Sequence, residues 1–279
     1  MQPTVALTIA GSDSGGGAGI QADLHSFAAS GVFGTTAITA ITAQNTVGVQ
    51  QVTPLPVETV LAQINSVLDD FPVRAIKTGM LGTPEIVRAV AERLRQVGSL
   101  PLVVDPVLIS TTGASLLSEG GIEAYRKDLL ERATVVTPNR DELAALLDRP
   151  ASSIQNTEEL RLAAIELSLR TSTTVVAKGG HLTPVAGRVV DLVVNGESVR
   201  SLAQSFVATP NDHGTGCSFA ASLTARLSLG EPLDRAIDGA QRFVHSALLG
   251  AANWTLGSGR GPIDHHGWNT ESNAAESVS

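Results

Sequence analysis

A glycine loop that leads directly into a helix carries the strongest chemical signal in this sequence. It reads His213-Gly214-Thr215-Gly216-Cys217, and an apolar helical stretch follows it. Such a loop aims several backbone N–H groups at one point, and together with the helix dipole these donors form an anion-binding site. Cys217 lies at the predicted helix start, where the dipole favours a thiolate. A lone cysteine is more commonly a small buried residue, but this placement favours a functional one.

A second glycine cluster spans residues 11–19 and reads Gly-Ser-Asp-Ser-Gly-Gly-Gly-Ala-Gly. Ile20 stands where a dinucleotide fingerprint needs its third glycine, and no Gly-Lys-Ser/Thr sequence is present for a Walker-type phosphate loop. Asp13 occupies the position at which a hydrolase nucleophile elbow places serine. A tight turn and a ligand-binding loop remain as interpretations. We favour the binding loop, because glycine lets the backbone approach a ligand closely.

Four polar residues that follow predicted strands could supply charge or metal ligands. Lys178 precedes Gly179-Gly180, where a lysine is either an ordinary turn residue or a point charge for a phosphate. Asn139 and Glu142 have the spacing of a helix cap followed by a first-turn acid, and the same spacing would place Glu142 near Mg²⁺, which prefers oxygen ligands. Asp105 lies at a predicted strand end before a proline. Like Glu142, it could be either a structural residue or a residue near Mg²⁺.

Alternating strand and helix patterns must position these residues. The predicted strands are 5–10, 35–42, 102–104, 135–136, 173–177 and a hairpin of 189–194 with 198–202. The predicted helices are 18–30, 57–71, one starting at Thr83, 217–228 and 233–251. This order predicts an α/β fold with a mostly parallel central sheet and helices on both faces, a three-layer sandwich. Ligands bind beyond the carboxyl ends of such strands, so the polar clusters should converge on one rim.

Composition restricts the class of protein. The chain has 279 residues, of which 43% are hydrophobic and 16% charged, which suits a domain with a buried core and argues against disorder. The net charge of −8, without any basic run, argues against a nucleic-acid partner. The single cysteine fits a reducing, cytoplasmic location, and neither a leader peptide nor a membrane span of ~18 apolar residues is predicted. We expect a single domain over residues 1–268 and a disordered tail at 269–279.

Together and in this order, these motifs resemble those of the hydroxymethylpyrimidine/phosphomethylpyrimidine kinases of thiamine biosynthesis, a family of the ribokinase-like superfamily. The resemblance extends from Leu7 to His265. Its most specific parts are residues 10–23, 42–46, 79–81, 104–107, 137–139, 178–181 and 213–217. It implies a ribokinase-like fold and ATP-dependent phosphorylation of 4-amino-5-hydroxymethyl-2-methylpyrimidine, followed by phosphorylation of the resulting monophosphate.

The resemblance also implies roles for individual residues. The residues implied to hold the pyrimidine are Gly11, Asp23, Gln44, Met80 and Val107. Those implied to hold ATP are Lys178, Asn139 and Gly180, and those implied to hold Mg²⁺ are Asp105 and Glu142. The implied catalytic residues are Gly214, Thr215 and Gly216, as the anion hole, and Cys217, as the base that takes the proton of the acceptor hydroxyl. Asp and Gln side chains suit an aminopyrimidine edge, which presents both donors and acceptors.

Two positions depart from the family pattern. Asp212 stands where the family more often has threonine, and its carboxylate could oppose thiolate formation, bind Mg²⁺ or face water. Thr42 replaces a usually apolar residue beside Gln44 and so affects the predicted pyrimidine pocket.

Two other functions fit parts of the pattern. A pyridoxal kinase, or an enzyme of dual specificity, is the nearer one, since both substrates are six-membered nitrogen rings with a hydroxymethyl arm. Residues 43–46 and 178–181 favour the pyrimidine enzyme. A non-catalytic nucleotide-binding protein is the other, but Asp105, Lys178 and Cys217 argue against it, because a pure binder needs no base beside an anion hole. By resemblance we expect a homodimeric enzyme that uses ATP and Mg²⁺ on a small-molecule substrate.

Overall fold

An eight-stranded sheet forms the centre of the computed structural model, which describes residues 2–108, 118 and 120–268. Its strands are β1 (Val5–Ala10), β2 (Phe33–Ile38), β5 (Val73–Thr78), β6 (Leu102–Val104), β7 (Val135–Val136), β8 (Thr174–Ala177), β9 (Arg188–Asn195) and β10 (Ser198–Ser205). A separate two-stranded sheet is formed by β3 (Ala40–Asn45) and β4 (Gly48–Pro54). The spatial order of the large sheet is β10-β9-β8-β7-β6-β5-β1-β2. The strands from β8 to β2 are parallel, and β9 and β10 are antiparallel, which confirms the mostly parallel sheet and the terminal hairpin.

Helices connect these strands. They are α1 (Gly19–Ala29), α2 (Val57–Asp70), α3 (Pro84–Arg95), α4 (Gly121–Ala124), α5 (Arg140–Leu146), α6 (Thr157–Thr171), α7 (Thr215–Ser228) and α8 (Leu233–Ala251). Helix α3 begins as predicted, because the Thr83 side chain accepts a hydrogen bond from the Ile86 N–H and Pro84 occupies the first helical position. Among the residues that the structure describes, no helix combines the length and apolar character needed to cross a membrane.

Successive residues of the central strands pack against helices on opposite faces of the sheet. Val104 and Val136 belong to the core formed with α2, α3, α5 and α6. Their neighbours Val103 and Val135 pack with α7 and α8. Side chains alternate across a strand, so strands that are apolar at every position must be covered on both faces. The predicted three-layer sandwich is confirmed.

The predicted strand 35–42 is wrong as a single element. Strand β2 ends at Ile38 and β3 begins at Ala40, and the two belong to different sheets. At the break, the Thr39 N–H donates to the Ala10 carbonyl and the Thr39 hydroxyl to the Met80 carbonyl, at 3.0 and 2.6 Å. The break turns the chain so that β3 runs beside the glycine cluster, where Ser12 N donates to the Ala40 carbonyl at 2.9 Å. The residue pattern does not predict β4, β5 or α6, and the predicted tail at 269–279 lies outside the described residues.

Strand β5 carries a charged side chain into the interior. Lys77 and Asp23 of α1 are both 0% exposed, and Nζ lies 2.6 Å from Oδ1. The other carboxylate oxygen accepts the Thr8 hydroxyl of β1, also at 2.6 Å. Burial opposes the charge of Lys77, but the Asp23 carboxylate holds its pKa above the ordinary value. One ion pair therefore ties α1 to both β1 and β5.

We predict that Asp23→Ala lowers the free energy of unfolding by about 3–5 kcal/mol, because it leaves a buried ammonium without its partner. Urea denaturation at pH 7 measures this loss. The double variant Asp23→Ala with Lys77→Met removes both charges and should recover most of it. The control is Glu158→Ala, which breaks the ion pair of an acid that is 63% exposed and should cost far less stability than Asp23→Ala. A loss in Asp23→Ala no larger than in the control would contradict the interpretation.

Candidate active site

One cavity of about 480 Å³ opens beyond the carboxyl ends of β1, β5, β6 and β8. The predicted site residues that line it are Gly11, Gln44, Met80, Asp105, Val107, Asn139, Glu142, Lys178, Gly180, Gly214, Thr215, Gly216 and Cys217. Asp23 is the predicted site residue that does not line it, because it lies behind Lys77 in the ion pair described above. The rim of the parallel sheet has therefore brought together motifs that are far apart in the chain.

The anion loop, residues 213–216, lies against the first glycine cluster. Gly214 precedes α7 with φ of +82°, a left-handed conformation that favours glycine. A Cβ on Gly214 would also lie 1.8 Å from the Gly17 carbonyl oxygen, so no other residue fits there. The residues that begin α7 line the cavity, and in a helix the first N–H groups have no partner within the helix; that of Thr215 makes only a long contact with the Asp212 carbonyl, at 3.4 Å. This is the geometry of an anion site.

Cys217 lies in the first turn of α7, as predicted, and its side chain is partly accessible. Burial raises the pKa of its thiol to about 11, although the nearby Lys77 ammonium opposes the shift. The expectation of a favoured thiolate is therefore wrong for this environment: it considered the helix dipole and not the loss of water around the sulfur. Near pH 7 the side chain is a neutral thiol.

Lys178 connects the anion loop to the acidic side of the cavity. Its Nζ lies 3.1 Å from Oδ1 of Asp105, an oxygen that also accepts the Thr137 hydroxyl at 2.9 Å. A Cβ on Gly216 would lie 2.9 Å from the same Nζ, so the ammonium reaches the anion loop itself. Burial opposes its charge, but Asp105 and Glu142 hold the pKa of Lys178 above the ordinary value. A cation is thus fixed beside the anion loop.

Asn139 and Glu142 form a helix cap and also line the cavity. The Asn139 side chain accepts from the N–H groups of Asp141 and Glu142, and the Glu142 carboxylate accepts from the Asn139 N–H at 2.7 Å. Burial raises the pKa of Glu142 to about 8, opposed by Lys178 and reinforced by Asp105. The structural and the functional interpretation of this motif are therefore compatible.

The donor chemistry of Asp105 and Glu142 fits Mg²⁺. Both carboxyl groups are buried, and the charge of Asp105 raises the pKa of Glu142, so a divalent cation would stabilise the ionised pair; oxygen ligands suit this metal. Among the described residues, no group of three or more His, Cys, Asp or Glu forms a complete metal cage. Such a site would therefore share its metal with phosphate oxygens and water, as Mg²⁺ sites commonly do.

Several cavity residues were missed by the sequence analysis. Lys77 lines the cavity, but its strand was not predicted. Arg260 stands alone in a glycine-rich segment without a pattern to mark it, and its Nε donates to Asp212 Oδ1 at 2.7 Å. The unusual Asp212 is therefore paired with a cation. The unusual Thr42 donates its hydroxyl to the Ser12 carbonyl at 2.8 Å, which joins β3 to the glycine cluster.

Comparison with known proteins gives a consistent result. Residues 13–264 match the family model described as phosphomethylpyrimidine kinase. A hydroxymethylpyrimidine/phosphomethylpyrimidine kinase of Rhizobium meliloti (strain 1021) is 44% identical over 266 residues, which cover 95% of this chain and 98% of the relative.

Solved structures of kinases share the fold. The pyridoxal kinase of Staphylococcus aureus in complex with AMP-PCP and pyridoxal superposes with a TM-score of 0.86 at 35% identity, covering 97% of this chain and 96% of that one. A phosphomethylpyrimidine kinase of Clostridium difficile 630 superposes with a TM-score of 0.75 at 36% identity, covering 88% and 99%. With its ribokinase-like fold, its match over nearly the whole chain and its anion loop, this chain belongs to the phosphomethylpyrimidine kinase family.

Proposed function

We propose that this phosphotransferase uses ATP to phosphorylate 4-amino-5-hydroxymethyl-2-methylpyrimidine and then its monophosphate, giving the diphosphate used in thiamine biosynthesis. The observation that carries the proposal is that one cavity joins Gly11, Gln44 and Met80 to the anion loop. The names of the relatives support the same substrates.

The pyrimidine would lie between the first glycine cluster and Gln44. A Cβ on Gly11 would lie 2.2 Å from the Met80 methyl carbon, so the methionine side chain covers the bare backbone of Gly11. This gives a flat apolar wall for a ring. The Gln44 amide supplies both a donor and an acceptor for the ring edge. Asp23 would act indirectly: through its ion pair, it would hold the Lys77 side chain in place at the wall of the cavity.

The transferring phosphoryl group would lie at the anion loop. Phosphoryl transfer depends on positioning and on electrostatic stabilisation more than on covalent chemistry, which suits the backbone donors of Gly214–Gly216 and the Lys178 ammonium. Asp105 and Glu142 would hold Mg²⁺, which when bound neutralises charge on phosphate oxygens. Asn139 and Gly180, which also line the cavity, would contact the ATP.

We extend the proposal to the protein's setting. The single cysteine supports a cytoplasmic enzyme, and the family resemblance supports a homodimer. A single catalytic domain over residues 1–268 agrees with the continuous eight-stranded sheet.

A pyridoxal kinase activity is the second candidate. The observation that favours it is the superposition on the pyridoxal kinase of Staphylococcus aureus, whose TM-score of 0.86 exceeds that of the pyrimidine enzyme from Clostridium difficile 630 at 0.75. The two ring substrates share the hydroxymethyl arm that accepts the phosphoryl group.

The substrate assignment is tested by measuring kcat/KM with the hydroxymethylpyrimidine, its monophosphate and pyridoxal under identical conditions. We expect both pyrimidines to be turned over, and the hydroxymethylpyrimidine to exceed pyridoxal. A much higher specificity constant for pyridoxal would overturn the assignment in favour of the second candidate.

We predict that Lys178→Met lowers kcat by about 10²–10³, because it removes a fixed charge beside the transferring group. The matched control is Lys127→Met, since Lys127 is 72% exposed and lies outside the cavity. Steady-state rates and thermal unfolding of both variants separate catalysis from folding. Full activity in Lys178→Met would exclude the lysine from the phosphate site.

We predict that Cys217→Ala slows the first phosphorylation far more than the second. The first acceptor is a neutral alcohol, for which a base contributes about 10²–10⁴ in rate. The second is a phosphate monoester whose second pKa is about 6, so it is already largely ionised near pH 7. Single-turnover rates with each acceptor measure the difference, and equal losses in the two steps would refute the base role.

The pH dependence of the first step supplies a further check of Cys217. Because the thiol pKa is about 11, the thiolate fraction grows about tenfold for each unit of pH up to that value. If the thiolate is the base, the wild-type rate should rise across the alkaline range, and the rate of Cys217→Ala should lack this rise.

A further inference from the structure

The Asp13 carboxylate organises the first glycine cluster. It is 2% exposed, its Oδ1 accepts the Gly15 N–H, and its Oδ2 accepts the Ala18 N–H, both at 2.8 Å. Oδ2 also lies 2.9 Å from Nε2 of His213, the first residue of the anion loop. Burial opposes the charge of Asp13, but these hydrogen bonds hold its pKa below the ordinary value. Asp13 is therefore an ionised acceptor that three donors surround.

His213 rests on the same cluster. A Cβ on Gly17 would lie 2.6 Å from the imidazole Cδ2, so the ring packs directly on the bare backbone of Gly17. The His213 N–H donates to the Gly261 carbonyl at 3.0 Å. The ring and backbone of His213 thus fix the position at which Gly214 begins the anion site.

The contact with Asp13 determines where the imidazole carries its proton. An ionised carboxylate only accepts hydrogen bonds, so Nε2 must be the protonated nitrogen. The Gln44 amide nitrogen lies 3.2 Å from this same Nε2. Because Nε2 has no lone pair to offer once it carries a proton, the N–H groups of Gln44 gain no bond there.

We propose that Asp13 and His213 are positioning residues: Asp13 holds the His213 ring with its Nε2 proton directed at the carboxylate, and this contact sets the anion loop relative to Gln44. The kinetic part of this inference rests on the proposed function, in which Gln44 hydrogen-bonds to the edge of the pyrimidine ring. The contact joins the two halves of the site, acceptor recognition on one side and phosphoryl stabilisation on the other.

The first test needs no substrate. Protein labelled with ¹⁵N-histidine is examined by NMR, and the His213 signals are assigned by their loss in His213→Gln. We expect a protonated Nε2 in the wild type and an altered Nε2 signal in Asp13→Asn, because the amide keeps one acceptor oxygen for three donors. A wild-type ring with an unprotonated Nε2 would overturn the proposal. This result stands even if the wild type fails to turn over the pyrimidine, an outcome that would count only against the proposed function.

The second test is kinetic. His213→Ala should lower kcat for the hydroxymethylpyrimidine by about 10- to 100-fold, because small displacements of reacting groups are costly. The KM for ATP should stay within about twofold, since Lys178 and Asn139 are untouched. His213→Gln, whose amide can place an N–H near the imidazole Nε2, should restore most of the rate. His245→Ala, a histidine of α8 outside the cavity lining, is the matched control and should match the wild type.

A double-mutant cycle distinguishes positioning from simple stabilisation. If Asp13 and His213 act as a unit, Asp13→Asn combined with His213→Ala should lose no more activity than the worse single variant. Additive losses, or variants that lose thermal stability while kcat is unchanged, would overturn the positioning role.

Discussion

The close approach of two backbones, at Gly17 and Gly214, is the constraint on which the rest of the site depends. A Cβ on Gly214 would lie only 1.8 Å from the Gly17 carbonyl oxygen, so the two backbones meet directly at this point. The N-terminus of α7 therefore lies within reach of whatever ring the first cluster binds. The parallel sheet makes this approach feasible, since β1 and the strands beside it end at the same rim. The two loops then need only glycine where they meet.

The positive charges of the cavity are few, and each is fixed in position by an ion pair. The chain carries a net charge of −8 and only three lysines, yet two of these lysines line the cavity. Each is held by an aspartate, Lys77 by Asp23 and Lys178 by Asp105. An acidic protein offers an anionic nucleotide no general attraction. Within the cavity, these two paired lysines and the backbone N–H groups of the anion loop supply a local positive field that the protein as a whole lacks.

The sequence was sufficient for a mostly parallel sheet, for helices on both of its faces and for part of the cavity lining, because these follow from strand-end motifs and apolar periodicity. It was not sufficient where a feature depends on packing between distant segments. The break at Thr39 arises from hydrogen bonds to Ala10 and Met80, which no local pattern of Thr, Ile and Ala residues encodes. Asp23 was expected in the pocket, but its partner Lys77 lies on a strand that was not predicted. The thiol of Cys217 was judged by its helix position, whereas its burial decides its pKa.

The contact between the two glycine loops also has a consequence for the order of events during synthesis. Gly17 leaves the ribosome well before Gly214, which follows β10 in the chain. Domains grow from the N-terminus during translation, so the early strands must wait for α7 before the anion loop has a surface to dock on. A nascent or truncated chain that ends before α7 can build much of the sheet but has only half of a binding site. Assembly of the complete site is thereby coupled to synthesis of the chain through α7.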